Sequence, residues 1–350
     1  MLAKRRKNSN FADKTTAMKQ RVIISNNLEA ELCEAIAQCE HDRIFVLTDE
    51  TSLRLCWPLA ERFECLRWVK MITIPSGDTN KSLDSVSHVW TELQNGGASR
   101  HSLLINMGGG MVTDLGGFAA SCFKRGINFI NIPTTLLAMV DASVGGKTGI
   151  NFGALKNEIG VFNDSRYVIL DTVFLRTLDH ENILSGYAEM LKHTLISDEK
   201  MWTDLITFNL DNPDMNALGR MLAESVEIKE HIVDEEQGIR KALNVGHTAG
   251  HALESWAMRH GQSLLHGYAV AWGLIVELYL SAIKSGFPTD KMRQTVNFIR
   301  GNYGSLGITC KDYPELLELM THDKKNYAGQ INFTLLSNIG SVLINQTATD

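Results

Sequence analysis

The sequence predicts an α/β protein of two domains: an N-terminal α/β domain on a largely parallel sheet, then an all-helical C-terminal domain. Three observations predict it. The chain has 350 residues, enough for two domains of ordinary size. Its first half alternates short β-rich runs with amphipathic stretches, the pattern of strands joined by crossover helices. Beyond about Asp179 the β-branched runs thin out and helical spacing takes over.

In chain order, RVIIS (21–25), RIFVLTD (43–49), MITIP (71–75), SLLINM (102–107), INFINIP (127–133) and YVILD (167–171) read as strands. Leu28 to Cys39 and Ser82 to Gln94 read as amphipathic helices between them. Helical spacing then covers 180–196, 199–208, 213–233, 243–259, 265–285, 288–302 and 313–321, while INFTLLS (331–337) has the character of one short strand. The boundaries that follow are a basic, poorly ordered leader over 1–20, an α/β domain over 21–178 and a helical domain over 179–350. No repeat or low-complexity linker separates the halves, so a cleft between them is the default place for a small ligand.

Composition removes several function classes. The chain is 44% hydrophobic and 21% charged, an ordinary globular balance. Residues 1–21 carry Lys4, Arg5, Arg6, Lys7, Lys14, Lys19 and Arg21 against Asp13 alone, a net +6, so the remainder carries −12 of the total −6. An acidic body argues against nucleic-acid binding. The KRRK run at 4–7 lacks aromatic interleaving and reads as a solvated leader. No apolar run of about 18 residues is present, so no membrane span is expected. The six cysteines form no CxxC pair and read as free thiols of a reducing cytoplasm; neither a disulfide nor a cysteine zinc site is expected.

Strand SLLINM runs into Gly108, Gly109 and Gly110 and then a helical stretch. A strand, a glycine turn and a helix N-terminus put bare N–H groups and a positive dipole end where a pyrophosphate could lie. The spacing is not GxGxxG, and alone it fits a tight structural turn equally well. Asp49 ends one strand, Asp78 and Lys81 follow the next, and Thr134 and Thr135 follow a later one. All fall on one edge of a parallel sheet, where ligands bind.

His247 and His251 share one face of a predicted helix, His266 opens the next long helix, and Glu189 lies in SGYAEMLKH. Three histidines and a carboxylate are the ingredients of a divalent-metal site. A lone helical histidine is usually core or surface, but an i, i+4 pair flanked by glycines with a third histidine at a helix start reverses that preference. The HExxH protease pattern does not fit. The glycine-rich run 140–160 carries Asp141, Lys147, Lys156 and Asn157; Lys192 shares a helix face with Glu189; Lys229, Arg240 and Asn244 precede His247; Asp323, Lys324 and Lys325 add late charges. Each alone is a surface residue by default. Together, beside a metal site in an acidic body, they call for an anionic substrate.

PTTLLAMVDASVGGKTGIN, ALKNEIG, DTVFLRTL, SGYAEMLKH, LNVGHTAGHALE, LHGYAVAWG and DKK, in this order, resemble the 3-dehydroquinate synthases, a family of sugar-phosphate cyclases. The resemblance runs over nearly the whole chain from about Arg21. It implies an NAD-binding N-terminal domain, a helical C-terminal domain and a homodimer. It implies zinc, with cobalt as an alternative, held by Glu189, His247 and His266. Asp141, Lys192, Lys229, Asn244 and His251 match catalytic positions; Lys147, Asn157, Arg240 and Lys324 match substrate contacts. Arg125 matches an arginine that reaches the phosphate in the neighbouring subunit. Asp49, Asp78, Lys81, Gly108, Gly109, Gly110, Asp114, Thr134, Thr135 and Lys156 form the implied cofactor set.

The implied substrate is a phosphorylated sugar acid, 3-deoxy-D-arabino-heptulosonate 7-phosphate, which loses phosphate and closes to a carbocycle while NAD is used and regenerated. The chain departs from the family pattern in four places: a Lys229–Arg240 stretch three residues short, Thr113 for a glycine, and Asp78 and Tyr268 for glutamates. The rival readings are a cyclase for a substrate without the carboxylate, a metal-dependent alcohol or glycerol dehydrogenase, and a non-catalytic scaffold.

Overall fold

The structure is a computed structural model that describes residues 19–153, 155–235, 238–321 and 330–348. Residues 1–18 of the basic leader, and Lys324, lie outside the described residues.

The first half runs β1 (Arg21–Ile24), α1 (Leu28–Gln38), β2 (Ile44–Asp49), α2 (Glu50–Leu55), β3 (Lys70–Ile74), α3 (Leu83–Asn95), β4 (Leu103–Gly108), α4 (Gly110–Cys122), β5 (Asn128–Pro133), β6 (Lys147–Phe152), β7 (Leu155–Phe162) and β8 (Tyr167–Leu170). Six strands form one sheet in the order β1-β8-β5-β4-β2-β3, and every pairing in it is parallel. Strand β4 is buried at all six positions, which its mainly apolar run, broken by Asn106, foretells for a strand covered on both faces. Phe45, Ile72, Val86, Leu104 and Leu115 form the core on one face. On the other face, Leu32, Leu103, Ile105 and Val168 join a core that continues through Leu184, Tyr187 and Leu274 of the helical half. One continuous core therefore binds the two halves.

The six predicted strands all appear. The glycine-rich segment does not stay a loop: β6 and β7 pair antiparallel as a separate ribbon. Gly149 and Gly160 face each other there, and a Cβ on either would run into the opposite backbone, which explains the glycines that hid the strands.

The second half runs α5 (His180–Leu195), α6 (Glu199–Thr207), α7 (Met215–Asp234), α8 (His247–Arg259), α9 (His266–Ser285), α10 (Thr289–Tyr303), α11 (Tyr313–Thr321), β9 (Asn332–Asn338) and β10 (Ser341–Thr347). The predicted helices appear in order, and INFTLLS is a strand as read. It pairs antiparallel with β10, so this half is helical with a terminal hairpin, not all-helical. The strand SVLINQT was missed because its polar ending interrupts the β pattern.

A second correction concerns the cysteines. Cys33 on α1 and Cys65 in the turn before β3 form a disulfide, with Cα atoms 5.3 Å apart. Their 32-residue separation carries no local motif, and only tertiary packing brings them together. Cys39, Cys56, Cys122 and Cys310 are free thiols. Among the described residues one helix, α9, is long and apolar enough to cross a membrane by composition. It packs against α5, α8, α10 and β9, and carries a buried Glu277.

Candidate active site

Backbone-close helix packing builds the site. Gly267 near the start of α9 lies against the Ser185 carbonyl of α5, and Gly273 of α9 lies against Gly246 just before α8; a side chain at either would clash. Helix α5 starts on Asp179, whose carboxylate accepts from Asn182 N at 2.8 Å, a cap worth about 1 kcal/mol. Four residues beyond Ser185, Glu189 meets the first residues of both other helices. Its Oε1 lies 3.4 Å from His247 Nε2 and 3.3 Å from His266 Nε2.

That oxygen is buried and has no hydrogen-bond partner among the described residues. A buried carboxylate oxygen left bare costs stability, whereas a cation between it and two imidazole nitrogens satisfies all three atoms. The ligand atoms of Glu189, His247 and His266 lie within 4.8 Å of one another, an O/N/N set of the kind zinc takes. The residues present fit a divalent metal.

The surrounding shell orients these ligands. His247 Nδ1 lies 3.1 Å from the Val245 carbonyl, and His266 Nδ1 lies 3.1 Å from Glu254 Oε2, which leaves both Nε2 atoms facing Glu189. The other Glu189 oxygen accepts from Lys192. Burial would raise the Glu189 pKa, but Lys192 and His247 outweigh it and hold the carboxyl well below its usual range. Burial and the Lys192 charge push His247 down to about 4. His266 goes the other way: against its burial, the facing carboxylates of Glu189 and Glu254 push it up to about 10. A metal ion held by Glu189, His247 and His266 would require that proton to leave the ligating nitrogen.

Asp141, Lys192, Lys229 and His251 lie beside this triad or one contact away from it. Asp141 sits in a π-helical turn over Ala138–Ala142, and its Oδ1 lies 2.7 Å from Lys229 Nζ. Burial raises the Asp141 pKa, yet Lys229 wins and the carboxyl stays ionised. The same burial lowers the Lys229 pKa. Carboxylate oxygens of Asp141 and Glu189 and a nitrogen of His193 approach within 4.8 Å of one another. The His251 ring lies 5.4 Å from that of His247 and 6.2 Å from that of His266, beside the ligands. Asn244 is half-buried at the end of a 3-10 turn over Ile239–Asn244.

The cofactor set falls on the carboxyl edge of the sheet. Gly108 ends β4 and Gly109 precedes α4 with no side-chain cap on the helix. A Cβ on Gly109 would stand 3.1 Å from Thr135 Cγ2, and one on Gly110 would stand 3.1 Å from Ala142 Cβ, next to Asp141. This uncapped, glycine-cleared helix start fits a dinucleotide pyrophosphate. It sits where the strand order reverses between β2 and β4. Thr134 is buried, and Thr135 Oγ1 accepts from Ala138 N. Asp49 spends one carboxylate oxygen capping α2 through Ser52 N at 2.6 Å.

Lys81, buried, bonds Asp114 at 2.5 Å and also Asn157, whose φ of 51° is left-handed. Burial raises the Asp114 pKa against the pull of Lys81. Lys156 stands between Asp78 at 3.3 Å and Glu254 at 3.4 Å. Lys147 is exposed at the start of β6.

Two further predicted residues are exposed. Arg125 is exposed in the turn after α4. Arg240 is exposed and lines a cavity of about 700 Å³ with Gly145, Gly146, Arg166 and Val233, a wall that includes none of the three metal ligands.

The sequence matches the family description 3-dehydroquinate synthase N-terminal over residues 71–185 and 3-dehydroquinate synthase C-terminal over residues 186–326. A 3-dehydroquinate synthase of Parabacteroides distasonis is 51% identical over 333 residues, 94% of each chain. This chain belongs to the 3-dehydroquinate synthase family. Its fold is also that of other sugar-phosphate cyclases. A 2-deoxy-scyllo-inosose synthase complexed with carbaglucose-6-phosphate, NAD+ and Co2+ superposes with a TM-score of 0.80 at 25% identity, over 94% of this chain and 91% of that one. A 2-epi-5-epi-valiolone synthase from Streptomyces hygroscopicus with NAD+ and Zn2+ bound gives a TM-score of 0.81 at 24% identity, over 99% and 96%.

Within this 3-dehydroquinate synthase site, four residues escaped the sequence reading. Glu254 was legible in principle, seven residues after His247 and three after His251 on one helix face. Glu277 is the sole charge between Gly267 and Ile283, an apolar run that called for a reason. His193 and its partner Ser225, 2.8 Å apart, are both fully buried and had no sequence signal beyond polarity.

Proposed function

We propose that the chain converts 3-deoxy-D-arabino-heptulosonate 7-phosphate to 3-dehydroquinate and phosphate, with NAD and zinc bound, as a homodimer in the cytoplasm. The observation that carries the reading is the bare Glu189 Oε1 between two imidazole nitrogens, with Lys192 on the other Glu189 oxygen. A metal-binding triad pressed against an ammonium suits a substrate that brings both a hydroxyl and a negative charge. Cobalt is the alternative ion, as the solved cyclase with Co2+ allows.

Glu189, His247 and His266 would hold the ion, which when bound supplies Lewis acidity to a substrate hydroxyl. NAD, when bound along the Gly108–Gly110 turn, would supply a reversible hydride acceptor, and oxidation of the substrate hydroxyl to a ketone would acidify the neighbouring carbon. The chain's own groups do the rest. Lys192 and Lys229 offer ammonium donors to the anionic ends of the substrate, and Asp141 fixes Lys229 in place. His251, beside the ligand rings and outside the set, is positioned to carry a proton at its imidazole. Lys147, Asn157, Arg240 and Lys324 are proposed as further anion contacts, with Arg240 taking the carboxylate through its planar fork. Glu189, Lys192 and Lys229 are buried, and their low-dielectric surroundings strengthen each charge among them.

The 51% identical relative named 3-dehydroquinate synthase favours the carboxylate-bearing substrate over those of the other cyclases. The test is phosphate release from the heptulosonate phosphate by the zinc-loaded, NAD-loaded protein, set against a hexose phosphate that lacks the carboxylate. Release from the hexose phosphate alone would overturn the substrate assignment.

A further inference from the structure

Helix α8 carries the ligand His247 as its first residue, so the way α8 begins decides where that imidazole stands. The four leading N–H groups of a helix have no partner inside it and usually take a cap from the residue just ahead. Here that residue is Gly246, which has no side chain and a left-handed φ of 80°. The cap comes from another helix. Glu277 of α9 accepts from Gly246 N at 2.6 Å through Oε2, and from Thr248 N at 2.9 Å and Ala249 N at 3.2 Å through Oε1. The two Glu277 oxygens thus bracket His247, holding the peptide N–H on each side of it.

Glu277 is only 1% exposed, a burial that a carboxylate tolerates when charge-assisted bonds and a positive helix end receive it. It stands 11 residues beyond His266 on the same helix, about three turns on. One rigid helix therefore carries a metal ligand at its start and, further along, the clamp on a second ligand. Gly246 is fitted to this arrangement: its left-handed φ aims the N–H at Glu277, and a Cβ there would meet Leu274 at 2.8 Å.

We infer that Glu277 is a positioning residue for the metal centre: by clamping the first turn of α8 onto α9, it fixes His247 relative to His266 and Glu189 and so sets the affinity for the ion. The inference deepens the metal-site reading above and rests on it. Loss of the Glu277 charge leaves the helical fold but lets the first turn of α8 shift. An outer group that orients a ligand typically accounts for about 10–100-fold in metal affinity.

The test uses the full chain in three forms: parent, Glu277→Gln and Thr295→Val. Thr295 is buried on α10 and bonded to Trp202 Nε1 at 3.0 Å, so its loss weakens the same half of the protein without touching α8. Zinc affinity is measured by competition with a chromophoric chelator, and the absorption spectrum of the cobalt-loaded protein reports ligand geometry. Glu277→Gln should bind zinc about 10–100-fold more weakly and alter the cobalt spectrum, with circular dichroism and NAD affinity at parent values. Thr295→Val should melt earlier and bind zinc as the parent does. Equal zinc affinities in parent and Glu277→Gln, or equal losses in both variants, overturn the inference. If Glu277→Gln does not fold, Glu277→Asp is read against the same two outcomes. A parent that binds no zinc, or a His247→Ala variant that binds it as the parent does, would instead end the metal-site reading itself.

Discussion

Glu254 Oε2 lies 3.1 Å from Nδ1 of His266, the ring nitrogen that faces away from Glu189. The same Glu254 reaches Lys156, and Lys156 reaches Asp78. A chain of charge thus runs from a candidate metal ligand in the helical half to the edge of the parallel sheet where the cofactor set gathers. Burial works against the Glu254 charge, but His266 more than offsets it and holds the carboxyl down at about 2.

This contact sets the first prediction. Glu254→Gln keeps the shape but removes the charge that fixes the His266 tautomer and raises its basicity. Zinc affinity should fall by about 10–100-fold, read by chelator competition, while NAD affinity falls less. An unchanged zinc affinity would show that the bond does not tune the ligand.

Much of this was legible in the sequence, for identifiable reasons. The inner strands β4, β5 and β8 are mainly apolar and buried at nearly every position, so few polar residues blur them. The cluster of Glu189, His247, His251 and His266 was legible from residue type and spacing, while the resemblance singled out three of them as ligands. What escaped was set by tertiary contact. The β6–β7 ribbon depends on Gly149 and Gly160 meeting across strands, and a glycine-rich run reads as a loop when only one strand is in view. Cys33 and Cys65 meet through packing, against the expectation of free thiols. Glu277 looked like one charge in an apolar helix, and its partners lie about 30 residues earlier in the chain.

Redox neutrality is the second prediction. If NAD is regenerated in each cycle, phosphate release should proceed with no net growth of absorbance at the NADH wavelength, and removal of NAD should stop it. One NADH for each substrate consumed would support the dehydrogenase reading instead.

A third prediction concerns acid stability. Burial and the Lys192 ammonium push the His193 imidazole down to about 3, against roughly 6.5 in an unfolded chain. Glu189, Asp141 and Lys229 also face it, and Ser225 Oγ lies 2.8 Å from its Nδ1. Between those pH values the unfolded chain binds a proton that the folded chain refuses. The contribution of His193 is therefore whole above about pH 6.5 and is lost as pH falls towards 3, by at most about 1.4 kcal/mol per pH unit. In chelator-treated protein, the urea midpoint of His193→Gln should change less between pH 6.5 and 4.5 than that of the parent. Equal slopes would remove His193 from the acid response.

The last prediction is a homodimer whose sites are completed across the interface by Arg125. Three consecutive residues after α4, Lys124, Arg125 and Gly126, have positive φ values of 49°, 69° and 112°. A left-handed conformation costs a non-glycine residue about 1–2 kcal/mol, and such strain gathers where a side chain must be presented in a fixed direction. Arg125 points its cost outward, since it is exposed. Phe152, Leu155 and Phe162 of the β6–β7 ribbon are also exposed, by 55%, 58% and 79%, and an apolar strip of this kind suits a second copy of the chain. The plainer alternative is that Arg125 only complements the C-terminus of α4, where a cation is favourable. Mixing separates the two. Arg125→Ala and Glu189→Ala subunits, each inactive alone, are combined in equal amounts and allowed to exchange. If Arg125 serves the partner's site, a mixed dimer has one site with both lesions and one with neither. Random exchange makes half the dimers mixed, so activity should return to about a quarter of the parent value. If Arg125 acts within its own subunit, every site keeps one lesion. A mixture shown to exchange subunits that stays inactive would therefore end the shared-site claim.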